Sequence, residues 1–266
     1  MNAPERITLE DVQAYTDKRD IPIQFVGVRD VRYPLTIQSV SGESQSTIAM
    51  IEMTVGLPGH MKGTHMSRFL EFIEFEAGVE LAATEDFLDR MLARLEATAG
   101  RIIIRFVYFL SKKAPVSGIS SLLDVDVELT LERSESSVFS QSLKITVPVT
   151  SLCPCSKQIS AYGAHNQRSN LVVAVTALEA FDIDSLVRLA EEEASCQIFG
   201  LLKREDEKWV TEKAYDNPKF VEDLVRDIAL RLRDHPDFTR WSVDSENFES
   251  IHNHSAYARI EGINTR

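Results

Sequence analysis

Strand-like and helix-like segments follow one another in the same order in the two halves of the chain. Each half holds two predicted strands, then helices, then two more strands, and the order restarts at about residue 137. The predicted strands lie at 31–40, 47–55, 101–110, 121–131, 142–150, 171–178, 241–249 and 255–261. The clearest predicted helices lie at 84–99, 184–199 and 218–233. The recurring order indicates an α+β fold built by structural duplication, although the sequence itself shows no repeat.

Length and charge narrow the class of protein. The 266 residues are enough for one large domain or two small ones. With 41 acidic against 29 basic residues, the net charge of −12 argues against a general nucleic-acid surface but is compatible with a local basic pocket for a small anion. No apolar run reaches the roughly 18 residues that a membrane span requires, and the N-terminal sequence has no signal-peptide pattern. We therefore expect neither a nucleic acid nor a membrane as partner.

The cysteines indicate a reduced, cytoplasmic protein. There are three, which is an odd number, and only Pro154 separates Cys153 from Cys155. A disulfide framework is therefore not expected. The third cysteine, Cys196, lies in an apolar segment with helical spacing and is predicted to be a thiol of the core.

Residues 151–170, SLCPCSKQISAYGAHNQRSN, carry the densest group of reactive side chains in the chain. His165 follows Cys153 by twelve residues on a loop that contains a glycine. Thiolate sulfur and imidazole nitrogen are preferred ligands of zinc and its late first-row neighbours, so the spacing predicts that both reach one ion. Cys155 is less suited as a ligand, because a short Cys-Pro-Cys loop rarely lets both sulfurs reach the same ion. The alternatives for Cys155 are a thiol beside the site or a redox-sensitive thiol.

Three segments occur along the chain in the order GLPGHMKGTHMSRFLEF, SLCPCSKQISAYGAHNQRS and DEKWVTEKAYDNPKFVED. Together they resemble GTP cyclohydrolase type IB, the metal-dependent alternative to the common type I enzyme, and the resemblance extends from about Asp30 to Gly262. The type IB enzymes belong to the tunnelling-fold (T-fold) superfamily. The resemblance implies a tandem T-fold, in which one chain holds two ββααββ modules with antiparallel sheets and helices on one face.

The resemblance also implies domain boundaries and an assembly. Residues 1–28 are expected to form an N-terminal extension, 29–136 the first module, and 137–266 the second module with the Cys/His loop. The type IB enzymes assemble as homotetramers, and T-fold oligomers bind their ligand between subunits. We therefore expect a homotetramer with sites at the subunit interfaces.

The activity implied by the resemblance is conversion of GTP and water to 7,8-dihydroneopterin triphosphate and formate, the entry step to tetrahydrofolate. It implies one divalent metal per site, and the donor types suit zinc, manganese or iron(II). Carried onto this sequence, the family's metal environment consists of Cys153, His165, Glu207 and His252. The same resemblance gives Cys153, His165 and His252 catalytic roles. It matches Glu222 to the glutamate that binds the guanine edge in T-fold enzymes.

The residues themselves leave several roles open. His165 could be a ligand or the acid that protonates a purine nitrogen as the ring opens. His252 and His254 lie two apart in a segment with strand spacing, so one sheet face would carry both; His252 is expected to face the metal, and His254 is either beside the site or structural. Glu207 lies in a run of charged residues that, without the resemblance, would indicate only a solvated surface.

The triphosphate of GTP requires cationic partners, which this acidic chain must supply locally. The candidates are Lys62, His65, Arg68, Lys157 and Arg168. Residues 60–68 and 153–168 could serve one site from different chains. The alternative is a polar loop whose basic side chains face solvent.

Two other functions compete with the cyclohydrolase. One is a different T-fold enzyme that attacks a pterin or deazaguanine with a cysteine nucleophile and needs no metal. The other is a non-catalytic zinc protein, whose closed site would typically use four Cys and His ligands. The carboxylates Glu207 and Glu222 argue against the zinc protein, and the extra ligands Glu207 and His252 favour metal chemistry over the thiol enzyme.

Overall fold

The computed structural model describes residues 10–76 and 78–264 of the chain. Its first half contains β1 (Ile23–Gln38), β2 (Ser44–Leu57), α1 (Met66–Phe75), β3 (Gly78–Glu80), α2 (Thr84–Leu95), β4 (Gly100–Lys113) and β5 (Ser120–Arg133). The second half contains β6 (Phe139–Leu152), α3 (Pro154–Ile159), β7 (Asn166–Ala177), α4 (Ile183–Glu192), β8 (Cys196–Gln197), α5 (Arg204–Asp216), α6 (Val221–Arg233), β9 (Phe238–Asn247) and β10 (Ala256–Ile263). The order of two strands, helices and two strands therefore occurs twice, as the sequence predicts.

The strands form one ten-stranded sheet that extends across both halves. Nine of them follow the order β10-β9-β7-β6-β5-β4-β2-β1-β3, and β8 pairs with the end of β6. Neighbouring strands are antiparallel except β1 and β3. Pairing of β5 with β6, from Asp126 opposite Thr146 to Arg133 opposite Phe139, joins the two halves. The halves thus share a single sheet instead of having one each.

Alternating burial explains why the helices cover one face of this sheet. Along β4 and β6 every second side chain is buried, as at Ile102 and Ile104 or at Leu143 and Ile145. The amphipathic helices α1, α2, α4 and α6 bury their apolar stripes against these side chains. Each fully buried Leu, Ile or Phe stabilises the packing by about 1.5–3 kcal/mol. The predicted arrangement of an antiparallel sheet with helices on one face is confirmed.

Among the described residues, one of the five hairpin turns, from β5 to β6, lies at one end of the strands. The other four lie at the opposite end, which we call the hairpin edge. These four turns connect β1 to β2, β4 to β5, β6 to β7, and β9 to β10. The pairs Leu152–Asn166 and Ser169–Asn247 align the end of β6, the start of β7 and the end of β9. The loop that follows β2 leaves the sheet at the opposite edge, because β2 runs antiparallel to β4.

Two sequence expectations about the helices differ from the structure. α5 was not predicted, because most of its side chains are charged or polar and give no apolar stripe. The helix predicted at 184–199 ends at Glu192, and Cys196 then pairs as part of β8; its thiol is buried, as expected. The predicted boundary at residue 28 falls inside β1. No helix in the described ranges is long and apolar enough to span a membrane.

Candidate functional site

The β6–β7 hairpin brings Cys153 and His165 next to each other at the hairpin edge. The backbone N–H of Cys153 donates to the carbonyl of His165 at 3.1 Å. Gly163 adopts φ +119°, a conformation that favours glycine and lets the loop turn back towards Cys153. The backbone therefore brings the two residues together, whereas their joint binding of one ion stays a prediction.

Ser156 joins the two residues a second time. Its hydroxyl donates to the carbonyl of Cys153 at 3.1 Å and accepts the backbone N–H of His165 at 3.2 Å. Its own N–H donates to Cys153 Sγ at 3.5 Å, which makes Cys153 the N-cap of α3. Cys153 and His165 are half-buried, whereas Cys155 is exposed. The hairpin thus holds one sulfur and one imidazole on a fixed frame.

A pocket of about 320 Å³ lies beside this frame, between the hairpin and α5. Its lining residues are Thr150, Asn166, Gln167, Arg168, Ile198, Val210, Thr211 and Ala214. Thr211 Oγ1 donates to the carbonyl of Glu207 at 2.7 Å, one turn earlier on the helix. Residues four apart share a helix face, so the exposed Glu207 lies on the face of α5 that lines the pocket.

The start of α6 also lies at the Cys/His hairpin. The N–H of Lys219 donates to the carbonyl of Leu152 at 3.1 Å, directly before Cys153. Glu222 is exposed in the first turn of α6, where the helix dipole favours a carboxylate. Lys157 Nζ donates to the backbone carbonyl of Tyr215 and lies 4.3 Å from the centroid of the Tyr215 ring. Glu222 and Lys157 are therefore at the same edge as the predicted ligands.

His252 and His254 lie in the loop between β9 and β10, and their assignment to a strand is wrong. Both side chains are exposed, and their rings stack with centroids 5.2 Å apart. The loop is tied to the hairpin edge because the N–H of Phe248 donates to the carbonyl of Arg168 at 3.0 Å. Most residues of this loop, at 248–255, are polar, and β10 begins only at Ala256.

The four predicted ligands do not lie close enough together to bind one ion in this structure. Across residues 10–76 and 78–264, no three His, Cys, Asp or Glu side chains are grouped so that they could hold one ion. Cys153 and His165 are neighbours, while Glu207 and His252 lie on exposed segments at the same sheet edge. The predicted ligand set therefore stays a prediction.

Comparison with known proteins identifies the family. The model of the family "Type I GTP cyclohydrolase folE2" matches residues 9–258. The chain belongs to this family. It is 57% identical to GTP cyclohydrolase FolE2 1 of Dechloromonas aromatica, over 99% of this chain and 100% of that protein. It is 50% identical to GTP cyclohydrolase FolE2 of Azoarcus sp., over 98% of this chain and 97% of that protein.

Membership of the folE2 family makes the chain a GTP cyclohydrolase, a hydrolase that carries out the GTP cyclohydrolase I reaction of folate biosynthesis. Two solved structures match this chain at low similarity. A highly active mutant of Bacillus sp. TB-90 urate oxidase gives a TM-score of 0.49 with 9% identity, over 91% of this chain and 100% of that chain. Uricase from Arthrobacter globiformis gives a TM-score of 0.46 with 11% identity, over 98% of this chain and 96% of that chain.

The phosphate-binding candidates of this GTP cyclohydrolase divide between the two sheet edges. Lys157 and Arg168 lie at the hairpin edge, whereas Lys62, His65 and Arg68 follow β2 at the opposite edge. β2 and β6 have 14 residues each, so a rise of about 3.3 Å per residue separates the two groups by roughly 45 Å. A single chain therefore does not bring the candidates at the hairpin edge and those at the opposite edge to one site.

In this chain the three distant candidates have acidic partners. Lys62 Nζ lies 3.4 Å from Asp17 Oδ2, and His65 Nε2 lies 3.2 Å from Asp11 Oδ2. Arg68 pairs with Glu96 at 3.2 Å. Asp11 and Asp17 belong to the segment that precedes β1, so this segment packs against the loop after β2.

Sequence reasoning missed three residues that organise the site: Ser156, Gln167 and Asp206. Gln167 is a polar residue at an inward-facing position of β7, where the alternation predicts an apolar one, and that mismatch is a usable signal. Asp206 is likewise a buried carboxylate inside a charged run. Ser156 carries no comparable signal, because serine is ordinary at the start of a helix.

Proposed function

We propose that the chain converts GTP to 7,8-dihydroneopterin triphosphate and formate as a type IB enzyme, at a site centred on the Cys153–His165 hairpin. The supporting observation is the direct backbone hydrogen bond between these two residues, reinforced by Ser156. It holds a soft sulfur donor and an imidazole together beside a pocket, which a structural loop does not require. Shared family membership with FolE2 enzymes is independent support.

One divalent metal per site, zinc, manganese or iron(II), belongs to this proposal. Cys153 and His165 would hold it, with Glu207 from α5 and His252 from the β9–β10 loop. The donor set fits such an ion in chemical type, because sulfur, nitrogen and oxygen donors all lie at one end of the strands. Glu207 and His252 are exposed on segments that Asp206 and Phe248 tie to that end. When bound, a divalent ion lowers the pKa of a coordinated water towards neutrality and so supplies hydroxide at a fixed place.

The remaining chemistry falls to side chains of the chain. Opening the imidazole ring of guanine requires water to add at C8 and a proton to reach the ring nitrogen that is released. Glu222 accepts hydrogen bonds from guanine N1–H and the 2-amino group, which orients C8 towards the hairpin. His165, if it is not a ligand, is the group best placed to deliver the proton. Lys157 and Arg168 bind phosphate oxygens at the same edge.

The proposal includes a homotetramer with sites shared between subunits. Lys62, His65 and Arg68 lie roughly 45 Å from the hairpin along the strand direction, so only another chain could place them at the same GTP. The repeated strand order on the two sides of the β5–β6 pair supports the tandem T-fold, with modules at 29–136 and 137–266. A cytoplasmic location completes the proposal.

An anaerobic assay on chelator-treated protein tests this function. GTP is added with zinc, manganese or iron(II) in turn, while formate and the fluorescence of oxidised neopterin are followed. Formate release that returns with a metal, together with a pterin product, supports the proposal and ranks the metals. No formate with any of the metals would contradict the proposal and favour an enzyme that uses Cys153 or Cys155 as nucleophile.

A further inference from the structure

We propose that Gln167 is a positioning residue that decides which ring nitrogen of His165 faces the metal site; this inference deepens, and rests on, the function proposed above. Gln167 Oε1 lies 3.0 Å from His165 Nδ1. The Gln167 side chain is 8% exposed, so water does not compete freely for this hydrogen bond. The family resemblance does not imply this contact between the two side chains.

A buried polar chain holds the Gln167 amide in place. Gln167 Nε2 donates to Ser151 Oγ at 2.9 Å, and Ser151 Oγ lies 2.6 Å from Ser169 Oγ. Ser151 and Ser169 are fully buried at the paired ends of β6 and β7. Ser151 is the direct partner of the amide nitrogen, and Ser169 lies one hydrogen bond further away. In this arrangement both ends of the buried amide have a partner, and the amide oxygen faces His165 Nδ1.

The position of that oxygen selects the tautomer of His165. A carbonyl oxygen only accepts hydrogen bonds, so Nδ1 must carry the hydrogen. In the neutral ring, Nε2 then has the free lone pair, and it is the nitrogen left to coordinate a metal or to take up a proton. A partner on the second nitrogen that orients a ligating histidine typically changes metal affinity 10–100-fold when it is removed.

Hydrogen bonds to the backbone of His165 also limit how its ring can be oriented. Its N–H donates to Ser156 Oγ at 3.2 Å and its carbonyl accepts from Cys153 at 3.1 Å, so the main chain at this residue is fixed on both sides. With main chain and Nδ1 both held, Nε2 is directed away from the core. Gln167 thus acts on the site through His165 and does not itself touch GTP.

Three variants of the full-length chain separate positioning from packing. Gln167→Met removes the acceptor at nearly constant volume, Gln167→Glu keeps an acceptor while the Ser151 hydroxyl reverses to donate, and Ser169→Ala disturbs the far end of the same buried chain. Zinc affinity is measured anaerobically by competition with a chelating dye. Gln167→Met is expected to lose 10–100-fold in affinity. Gln167→Glu and Ser169→Ala are expected to stay within about threefold of wild type.

Equal zinc affinity of Gln167→Met and wild type would overturn the inference. A loss of zinc affinity in Gln167→Glu or in Ser169→Ala as large as the loss in Gln167→Met would overturn it as well.

Long-range 15N correlation spectra of metal-free, histidine-labelled protein test the tautomer without any metal, with His165 assigned from its loss in His165→Asn. A protonated Nδ1 in wild type supports the inference, and a protonated Nε2 contradicts it. Wild-type zinc affinity no greater than that of Cys153→Ala would instead refute the proposed metal site, which keeps the two failures distinguishable.

Discussion

The carboxylate of Asp206, at the start of α5, accepts hydrogen bonds from both the backbone N–H and the hydroxyl of Ser117, at 2.9 and 2.6 Å. Ser117 lies in the turn between β4 and β5, so this contact ties the helix that carries Glu207 to the first half of the chain. The N–H groups of Val116 and Lys203 donate to the same carboxylate at 2.8 Å each. The contact explains how an exposed, charged helix keeps a defined position at the hairpin edge.

Replacement of Asp206 with Asn is expected to lower the melting temperature by roughly 5 °C, because an amide oxygen is a weaker acceptor and its NH2 group faces a backbone N–H in either orientation. Differential scanning calorimetry measures the change. The matched control is Glu205→Gln, which alters an exposed carboxylate in the same helical turn and should shift the melting temperature by less than about 1 °C. A shift equal to that of the control would contradict the anchoring role.

The same substitution has a predicted pH signature. Burial acts to raise the pKa of Asp206, but hydrogen bonds from Ser117, Lys203 and Val116 outweigh it and hold the pKa well below its usual range. A carboxyl whose pKa is lowered on folding stabilises the fold above its unfolded pKa of about 4 and loses that effect as the pH falls. The stability difference between wild type and Asp206→Asn should therefore be full above about pH 5 and shrink below about pH 4. Urea unfolding at several pH values measures it.

The ion pair between Lys112 and Glu191 is predicted to be the most sensitive charge pair of the chain. Lys112 Nζ donates to Glu191 Oε1 and, at 2.7 Å, to the carbonyl of Ile198, and the two side chains are 10% and 5% exposed. Burial lowers the pKa of Lys112 and raises that of Glu191, while their mutual attraction opposes both shifts. Lys112→Met leaves the carboxylate buried alone and should reduce the free energy of unfolding by about 3–5 kcal/mol.

Denaturant unfolding of three variants checks this prediction. The double variant Lys112→Met with Glu191→Met should recover most of the loss, because no unpaired charge is left. Lys208→Met, in the exposed pair with Glu212, should change the free energy of unfolding by less than about 0.5 kcal/mol. A loss below about 1 kcal/mol for Lys112→Met alone would show that water reaches this pair.

The two cysteines of the hairpin should respond differently to substitution. Cys153→Ala is expected to abolish turnover and metal retention together, since it removes the half-buried sulfur beside His165. Cys155→Ala is expected to keep both within a few-fold of wild type, because this thiol is exposed on α3. Bound metal after desalting and formate release are measured on the same samples. Normal turnover by Cys153→Ala would remove the hairpin from the proposed site.

Sequence patterns were sufficient for the parts of the fold that depend on period-two burial. The strands appear in the sequence as alternating apolar residues, such as Leu123, Val125 and Val127, because one side of the sheet is covered by helices. α5 lacked such a signal, since Asp206 and Ala214 are its only buried residues within the described helix. Its position depends on the tertiary hydrogen bonds of Asp206, which propensity does not encode.

The site was predictable only where its parts are close along the chain. Cys153 and His165 lie on one hairpin, so their spacing was informative, and the sequence predicted their proximity. His252 reaches the same edge through strand pairing of β7 with β9, a register set by the whole sheet, and its loop was mistaken for a strand. Gln167 was missed because its role lies in a side-chain hydrogen bond to His165.

Subunit sharing of the site predicts activity in mixed oligomers of two inactive variants. Cys153→Ala lacks the hairpin thiol, and Lys62→Ala lacks a cation of the opposite edge; each alone should lose nearly all turnover. If one site takes the hairpin from one chain and Lys62 from another, oligomers of equal composition contain about one intact site in four. Co-expression with two affinity tags and tandem purification isolates the mixed oligomers for the formate assay.

As the matched control, Cys153→Ala mixed with Lys157→Ala should stay inactive, because both changes fall on the same hairpin. No activity in either mixture would place the complete site within a single chain, and wild-type turnover by Lys62→Ala alone would exclude Lys62 from it.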